Sequence, residues 1–269
     1  MSRQDVLGMT AESLAAMLRR IAEEGGETTL RYYDGEMELE LRAKQDASPV
    51  TAADEACEAL LLERLRAFSP AVPIVSEEAA EKGEIPEVAS GALFWLVDPL
   101  DGTKEFLSKN GEFTVNVGLI REGRPIAGVV HAPALRRTWV GVLDEAWVND
   151  VGGQPSPIGA RTAPAGGLAV VASRRHGSGD ELEDYLAGFD IAERVGAGSS
   201  LKFCLIAEGR ADLYPRFGRT MEWDTAAGQA VLEAAGGRVE TRDGTPLGYG
   251  KPGFENPHFI GFGRGVRRR

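Results

Sequence analysis

The chain has 269 residues, 43% of them hydrophobic and 26% charged, which is the composition of a folded globular protein and excludes a disordered or fibrous one. Its formal net charge of -11, from 30 Lys and Arg against 41 Asp and Glu, excludes the broad basic surface that a nucleic acid polymer or an anionic membrane would require. Cys57 and Cys204 stand far apart, without disulfide-framework or zinc spacing, no secretory leader pattern follows Met1, and no apolar run reaches membrane-spanning length. The expected setting is the cytoplasm, with peripheral association at the inner membrane left open.

Leu14, Met17, Leu18 and Ile21 recur at helical spacing and predict an amphipathic helix from Thr10 to about Arg31. A turn-rich stretch follows, ending at Ser48 and Pro49. Thr51 and Asp54 then match a capping box, and Leu60, Leu61, Leu65 and Phe68 continue a second helix. From Val72 the period changes. Short β-branched or aromatic runs at 72–75, 94–97 and 113–119 predict strands, and the tight connection at 121–125 leads into further strands at 126–130, 138–142 and 146–148. The first half, residues 1–152, therefore reads as helices on a largely antiparallel sheet. After the turn-rich segment at 151–157, the second half, residues 153–269, alternates strands with helices near 180–187, 199–208 and 224–235. Its basic tail, from Arg264 onward, is expected to fray.

The sharpest chemical signal is the run Phe94-Trp95-Leu96-Val97-Asp98-Pro99-Leu100-Asp101-Gly102-Thr103, a buried strand ending in two acids three residues apart. Pro99 turns the chain so that both carboxylates can face one point, and the helix expected to open at Asp101 offers free N–H groups to a phosphate. Alone, such a pair caps a turn and a helix. Glu77 and Glu78 follow another strand, however, and Asp224 opens a later helix. Carboxylates gathered at one site repel unless a cation neutralises them, and all-oxygen donors beside a phosphate favour Mg²⁺ over zinc. His131, His176 and His258 are scattered without ligand spacing.

These residues resemble the inositol monophosphatase superfamily of Mg²⁺-dependent, lithium-sensitive phosphatases: Glu77-Glu78, Asp98-Pro99-Leu100-Asp101-Gly102-Thr103 and Glu222-Trp223-Asp224-Thr225-Ala226-Ala227-Gly228 occur in the family's order and spacing. Lys104-Glu105-Phe106 after the second motif, the run Asn110-Gly111-Glu112-Phe113-Thr114-Val115-Asn116, and Gly198-Ser199-Ser200-Leu201-Lys202 are similar to the bacterial 3'(2'),5'-bisphosphate nucleotidase branch. The resemblance implies an α/β (α+β) fold, a layered αβαβα sandwich with the site between the halves. It implies two or three Mg²⁺ ions, one held by Glu77, Asp98 and the Leu100 carbonyl, a second by Asp98, Asp101 and Asp224, and any third leaning on Glu77. Two such cations, about 3.5 to 4 Å apart, activate water on one side and stabilise the leaving oxygen on the other. The catalytic residues implied are Glu77 and Thr103, with Asp54 orienting Thr103.

The substrate class implied is a small phosphate ester, 3'-phosphoadenosine 5'-phosphate or its sulfated precursor from sulfur metabolism, handled by a monomer or homodimer. Gly102 and Thr103 would hold the phosphate that is cleaved; Ser173, His176, Ser200, Lys202 and Arg216 would meet the rest of the substrate. An inositol monophosphatase or a fructose 1,6-bisphosphatase would share every metal ligand and differ at the substrate end. A catalytically silent nucleotide-binding protein would be expected to lack a ligand, and none of these carboxylates is missing.

Overall fold

The computed structural model describes residues 6–39, 41–43, 49–89, 91–172 and 179–268. Helix α1 (Ala11–Tyr33) starts where Thr10 accepts a hydrogen bond from the Ser13 N–H, and it buries the expected stripe of Leu14, Met17, Leu18 and Ile21. A short hairpin of β1 (Leu41–Ala43) and β2 (Pro49–Thr51) leads into α2 (Ala52–Phe68), opened by the capping box of Thr51 and Asp54. Gly25 lets the two helices touch: a Cβ there would lie 2.9 Å from Leu61 and 3.1 Å from Cys57.

Both helices cover one face of a seven-stranded sheet that runs, edge to edge in chain order, through β3 (Ile74–Ser76), β4 (Leu93–Asp101), β5 (Thr114–Arg121), β6 (Arg124–Ala132), β7 (Arg137–Val142), β8 (Glu145–Asp150) and β9 (Ser156–Pro157). Only β3 and β4 are parallel; the rest is the expected meander. Alternation divides the side chains between the faces. Trp95, Val97, Val115, Val117 and Leu119 pack with α1 and α2, whereas Phe94, Leu96 and Ile120 turn to the opposite side. Between β3 and β4 lies the short helix α3 (Glu77–Glu81), and between β4 and β5 lies α4 (Thr103–Leu107).

A second sheet, in the order β11, β10, β12, β14, β13, is built from β10 (Leu168–Ala172), β11 (Ile191–Gly196), β12 (Leu213–Arg216), β13 (Arg238–Thr241) and β14 (Phe259–Phe262). β10 is parallel to both β11 and β12, and β14 is antiparallel to β12 and β13. Helix α5 (Asp180–Leu186) packs on its outer face through Leu182, Tyr185 and Leu186, while α6 (Leu201–Ala207) and α7 (Glu222–Ala234) fill the space between the two sheets. The layers are therefore αβαβα, the architecture expected.

Helix α7 sits unusually low on the first sheet. Gly118, Gly128 and Gly141 are direct cross-strand partners on β5, β6 and β7, so together they form a trench without side chains. A Cβ at Gly118 would lie 2.8 Å from Ala226, one at Gly128 2.8 Å from the Ala227 backbone, and one at Gly141 2.6 Å from the Ala230 carbonyl. The small residues of α7 match the trench, and the fit sets the height and direction of the helix. Its start differs from expectation by two residues: Asp224 is the third helical residue rather than the cap, and its Oδ2 accepts the Met221 N–H at 2.9 Å.

The tail also departs from expectation. Val266 is buried, the Arg264 guanidinium donates to the Ala235 carbonyl, and Arg268 lies over the Tyr185 ring, so the described tail is packed rather than frayed. Basic side chains here end a core rather than leave it. Among the described residues no helix is long and apolar enough to cross a membrane.

Two stability predictions follow from this packing. Gly128→Ala puts a methyl against main-chain atoms that cannot rotate away, so we expect a loss of roughly 1 to 3 kcal/mol in denaturant unfolding, with activity falling as α7 lifts. His131, buried beside Gly26 with its Nδ1 2.9 Å from Thr138 Oγ1, is held neutral chiefly by burial, which drops its pKa to about 4. A lowered histidine pKa contributes stability above the unfolded value near 6.5 and loses it as the pH falls toward 4. Acidification across that window should cost on the order of 3 kcal/mol. The slope should flatten in His131→Gln, and an unchanged slope in that variant would place the acid sensitivity elsewhere.

Candidate active site

The cleft opens where the end of β4 meets the starts of α3, α4 and α7, and it encloses about 450 Å³. Glu77 is the first residue of α3 and follows the buried edge strand β3 directly. Asp98 lies on the α7 side of β4, opposite Asn116 of β5. After Asp98 the pairing slips until Asp101 meets Thr114, because Pro99 has no N–H to give and the chain must turn. The turn is fixed from within: the Leu100 N–H donates to Asp98 Oδ1 at 3.0 Å.

Gly102 comes next, with φ of +91°, and caps α4 without a side chain. Glycine is required here twice over, since that φ is in the left-handed region and a Cβ would overlap the Ser199 hydroxyl. The predicted helix thus begins at Thr103, not at Asp101. Behind it, the buried Phe106 and Phe113 meet edge to face at 5.0 Å and the half-buried Tyr33 packs on both, an aromatic brace that fixes the turn. Asp54, at the third position of α2, accepts from both the N–H and the hydroxyl of Thr51 through Oδ2, at 2.8 and 2.6 Å. It is 2% exposed and, with Asp98, flanks the Cys57 thiol, whose pKa burial and these charges push up.

The second half contributes two elements, α7 to this cleft and the loop before α6 to the cavity beside it. Helix α7 brings Asp224. The loop before α6 is tied to the first half by the Gly198 N–H, which donates to Glu112 Oε2 at 2.8 Å, and by the Ser199 hydroxyl, within 2.8 Å of the Asp101 carbonyl. Ser200 is buried, and its hydroxyl donates to the Asp224 main-chain carbonyl at 2.8 Å. Lys202 is buried as well; its ammonium donates to the Ser199 carbonyl at 2.6 Å and lies 3.4 Å from that of Ala197.

Electrostatics show how closely these groups are gathered. Asp98 is pushed well above the usual carboxylate range, first by burial and then by the charges of Glu77, Asp101 and Asp224, and it shares a hydrogen bond with Glu77. Asp224 is raised in the same sense by burial, Asp101 and Glu77. Asp101 rises to about 6, burial outweighing the opposing pull of Lys202. Lys202 in turn falls to about 8 through burial, with the Asp101 charge opposing the fall. Acids from three elements, Glu77 on α3, Asp98 and Asp101 on β4 and Asp224 on α7, thus crowd one region, with the buried Lys202 ammonium beside them.

Among the described residues no three Asp, Glu, His or Cys side chains already enclose one point as an ion requires. The donor chemistry nevertheless fits a hard cation: the groups are carboxylates, buried or half-buried and mutually repelling, and among the described residues neither histidine nor cysteine lines the cleft.

A second cavity of about 150 Å³ adjoins the first, and Asp101, Gly102, Lys104, Glu105 and Asp224 border both. Lys202, Tyr214 and Arg216 line its far side. The Arg216 guanidinium donates through Nη2 to the Arg219 carbonyl, while its buried Nε has no hydrogen-bond partner. Ser173 and His176, expected beside the substrate, lie outside the described residues. Sequence reasoning missed Asn116, Arg219 and Trp223 as site residues. Arg219 and Trp223 line the cleft, whereas Asn116 lies behind it, its Nδ2 3.5 Å from Asp101 Oδ2, and a lone amide in the run VNVGLI is the signal that it carried.

A carboxylate-walled cleft at the seam of an αβαβα sandwich marks a phosphatase-type architecture, and the comparisons with known proteins agree. Residues 10–259 match the inositol monophosphatase family. A Salmonella typhimurium protein named 3'(2'),5'-bisphosphate nucleotidase CysQ is 45% identical over 241 residues, covering 89% of this chain and 96% of that protein. Its Escherichia coli counterpart is 44% identical with the same coverage. Among solved structures, CysQ from Bacteroides thetaiotaomicron, at 33% identity, aligns with a TM-score of 0.78 over 96% of this chain and 99% of that one. An inositol monophosphatase from Anabaena, at 26% identity, aligns with a TM-score of 0.73 over 95% of this chain and 92% of that one. The chain belongs to the inositol monophosphatase family.

The acid cluster yields its own prediction. Asp98→Asn or Asp224→Asn removes a repelling charge and a cation donor together. Each should melt at the same or a higher temperature than wild type in chelator, yet lose at least 100-fold in phosphatase rate and most of its thermal response to Mg²⁺. Melting curves with and without Mg²⁺ check it; wild-type rates in either variant would remove that residue from the site.

Proposed function

We propose that the chain is a Mg²⁺-dependent 3'(2'),5'-bisphosphate nucleotidase that hydrolyses the 3'-phosphate of 3'-phosphoadenosine 5'-phosphate to AMP and phosphate, and treats the sulfated precursor alike. The observation that carries the reading is the pair of adjoining cavities. One is walled by the carboxylates of Glu77, Asp98, Asp101 and Asp224; the other adds Lys202 and Arg216 on its far side; Asp101, Gly102 and Asp224 stand at the border of both. A substrate with two phosphates has use for both sets of groups, whereas a monophosphate has use for one. The names of the relatives support the same substrate class.

Two or three Mg²⁺ ions would be held by those carboxylates and the Leu100 carbonyl, and when bound they supply Lewis-acid activation of water and neutralise charge on the leaving oxygen. The chain's own part is positioning. The N–H groups at Gly102 and Thr103 seat the oxygens of the phosphate to be cleaved, Thr103 with Glu77 takes the proton from the attacking water, and Asp54 orients Thr103. In the second cavity Arg216 is better placed than Lys202 to read the other phosphate. Its Nε is buried without a partner, and the Lys202 ammonium is already turned to backbone carbonyls.

Steady-state kinetics on 3'-phosphoadenosine 5'-phosphate and inositol 1-phosphate tests the reading. Wild type should prefer the bisphosphate in kcat/KM and need Mg²⁺ for either. Arg216→Ala should lose about tenfold or more on the bisphosphate, the worth of a charge-assisted hydrogen bond of roughly 1.5 to 3 kcal/mol, with little change on the monophosphate. Lys202→Ala should show the same bias, more weakly. A wild-type preference for inositol 1-phosphate would make the chain a monophosphatase, and equal losses on both substrates would assign Arg216 to the fold.

A further inference from the structure

Asn116 is a buried amide in the middle of an apolar strand. Alternation along β5 turns it away from Val115 and Val117, onto the same face as Gly118 and opposite Asp98 of β4. Its Nδ2 lies 3.2 Å from Ser200 Oγ and 3.5 Å from Asp101 Oδ2. Ser200 in turn donates its only hydroxyl proton to the Asp224 carbonyl at 2.8 Å.

The sense of this chain is set by chemistry. Because the Ser200 hydrogen is committed to a carbonyl, its oxygen can only accept, so the neighbouring group must be a donor. A carboxylate oxygen of Asp101 makes the same demand. Turning the amide over would set its carbonyl oxygen against both acceptors, so the NH₂ group faces them. The Asn116 Oδ1 is left buried with no hydrogen-bond partner, as is the hydroxyl of Thr114, the cross-strand partner of Asp101.

We infer that Asn116, acting with Ser200, is a positioning residue that links the carboxylate of Asp101 in the first half to Asp224 in the second, and so sets the spacing of the cation-binding acids. The inference rests on the Mg²⁺ reading above. It moves Ser200 from contact with substrate to support of Asp224, and it explains why a largely apolar strand retains an amide at this register. The neighbouring orphan oxygens of Asn116 and Thr114 are acceptors suited to the water that hydrates a bound cation.

The experiment follows cation binding without turnover: thermal unfolding of the full chain, stripped with chelator, across a range of Mg²⁺ concentrations and with no substrate. Asn116→Ala and Ser200→Ala should each raise the Mg²⁺ concentration for half-maximal stabilisation by about tenfold or more. The double variant should be no worse than the worse single variant, because both cuts break the one side-chain route from Asp101 through Asn116 and Ser200 to Asp224, and the hydrogen bond from the Ser200 backbone to Asp101 remains in each. Ser200→Thr keeps the hydroxyl and should return to within about twofold of wild type, a rescue that loss of general packing would not give. Should Asn116→Ala fail to fold, Ser200→Ala, which deletes one oxygen, carries the test with Ser200→Thr as its control. If wild type responds to Mg²⁺ and both alanine variants respond at the same concentration, the inference is overturned and the Mg²⁺ reading stands. Shifts that simply multiply in the double variant would also overturn it, since the two residues would then act separately. A wild type with no response to Mg²⁺ overturns both.

Discussion

The approach of α7 to a row of three glycines is the constraint on which the site depends. Gly118, Gly128 and Gly141 face one another across three strands, and the helix that lies on them is nearly all small where it touches, through Ala226, Ala227 and Ala230. A helix packed on ordinary side chains would ride higher, with its axis roughly 10 Å from the sheet. Bringing the backbone down has two effects. It buries Ala and Val against the sheet at high density, and it delivers the first turn of α7 to the level of the β4 end, where Asp98 and Asp101 wait. Gly228 repeats the device toward the second sheet, where any Cβ would overlap the Phe203 ring. Fold stability and the assembly of the acid cluster are thus one packing problem.

That assembly works against the fold's own electrostatics. Burying one carboxylate is costly, and gathering several costs more, which is why Asp98 and Asp224 hold protons so far above the usual range. The structure meets the cost locally. One oxygen of Asp98 accepts the Leu100 N–H, one of Asp224 accepts the Met221 N–H, and Lys202 stands beside Asp101. These bonds also fix where each carboxylate points. A cation reaching the cleft meets donors already oriented, with repulsion as the driving force for taking it up.

Much of this could be read from the residues, and the reason is periodicity. The 3.6-residue stripe of α1, the capping box at Thr51 and the alternation along β5 each have one physical explanation, and each appears where expected. The Asp98 to Thr103 motif was legible because Pro and Gly fix backbone geometry wherever they stand. What stayed hidden depends on tertiary partners. From the residues alone α7 starts two residues late, because Asp224 resembles an N-cap, whereas its Oδ2 reaches back to Met221 from the third position. The tail was expected to fray because a run of arginines looks solvated, yet Arg264 finds a helix-end carbonyl and Arg268 an aromatic face. Ser200 stands in a recognisable motif, but nothing local says that its proton goes to a carbonyl on another helix.

The same distinction between local and global explains how a chain of net charge -11 can be fitted to a polyanion. At physiological ionic strength the field of a surface charge decays over about 8 Å, so acids spread over the exterior weigh on the encounter and scarcely on the bound state. Within the cleft the balance is set by the few groups that face it. Asp101 and Asp224 both belong to the acid cluster and border both cavities, and of the two it is Asp101 whose charge opposes the loss of the Lys202 proton. A cation placed on the acid side therefore draws on the charge that Lys202 otherwise faces, leaving the ammonium and Arg216 with a greater surplus of positive charge toward the second cavity. An anion in one cavity and a cation in the other then favour each other, through a carboxylate held in place by Asn116 and Gly102 rather than through any movement of the fold.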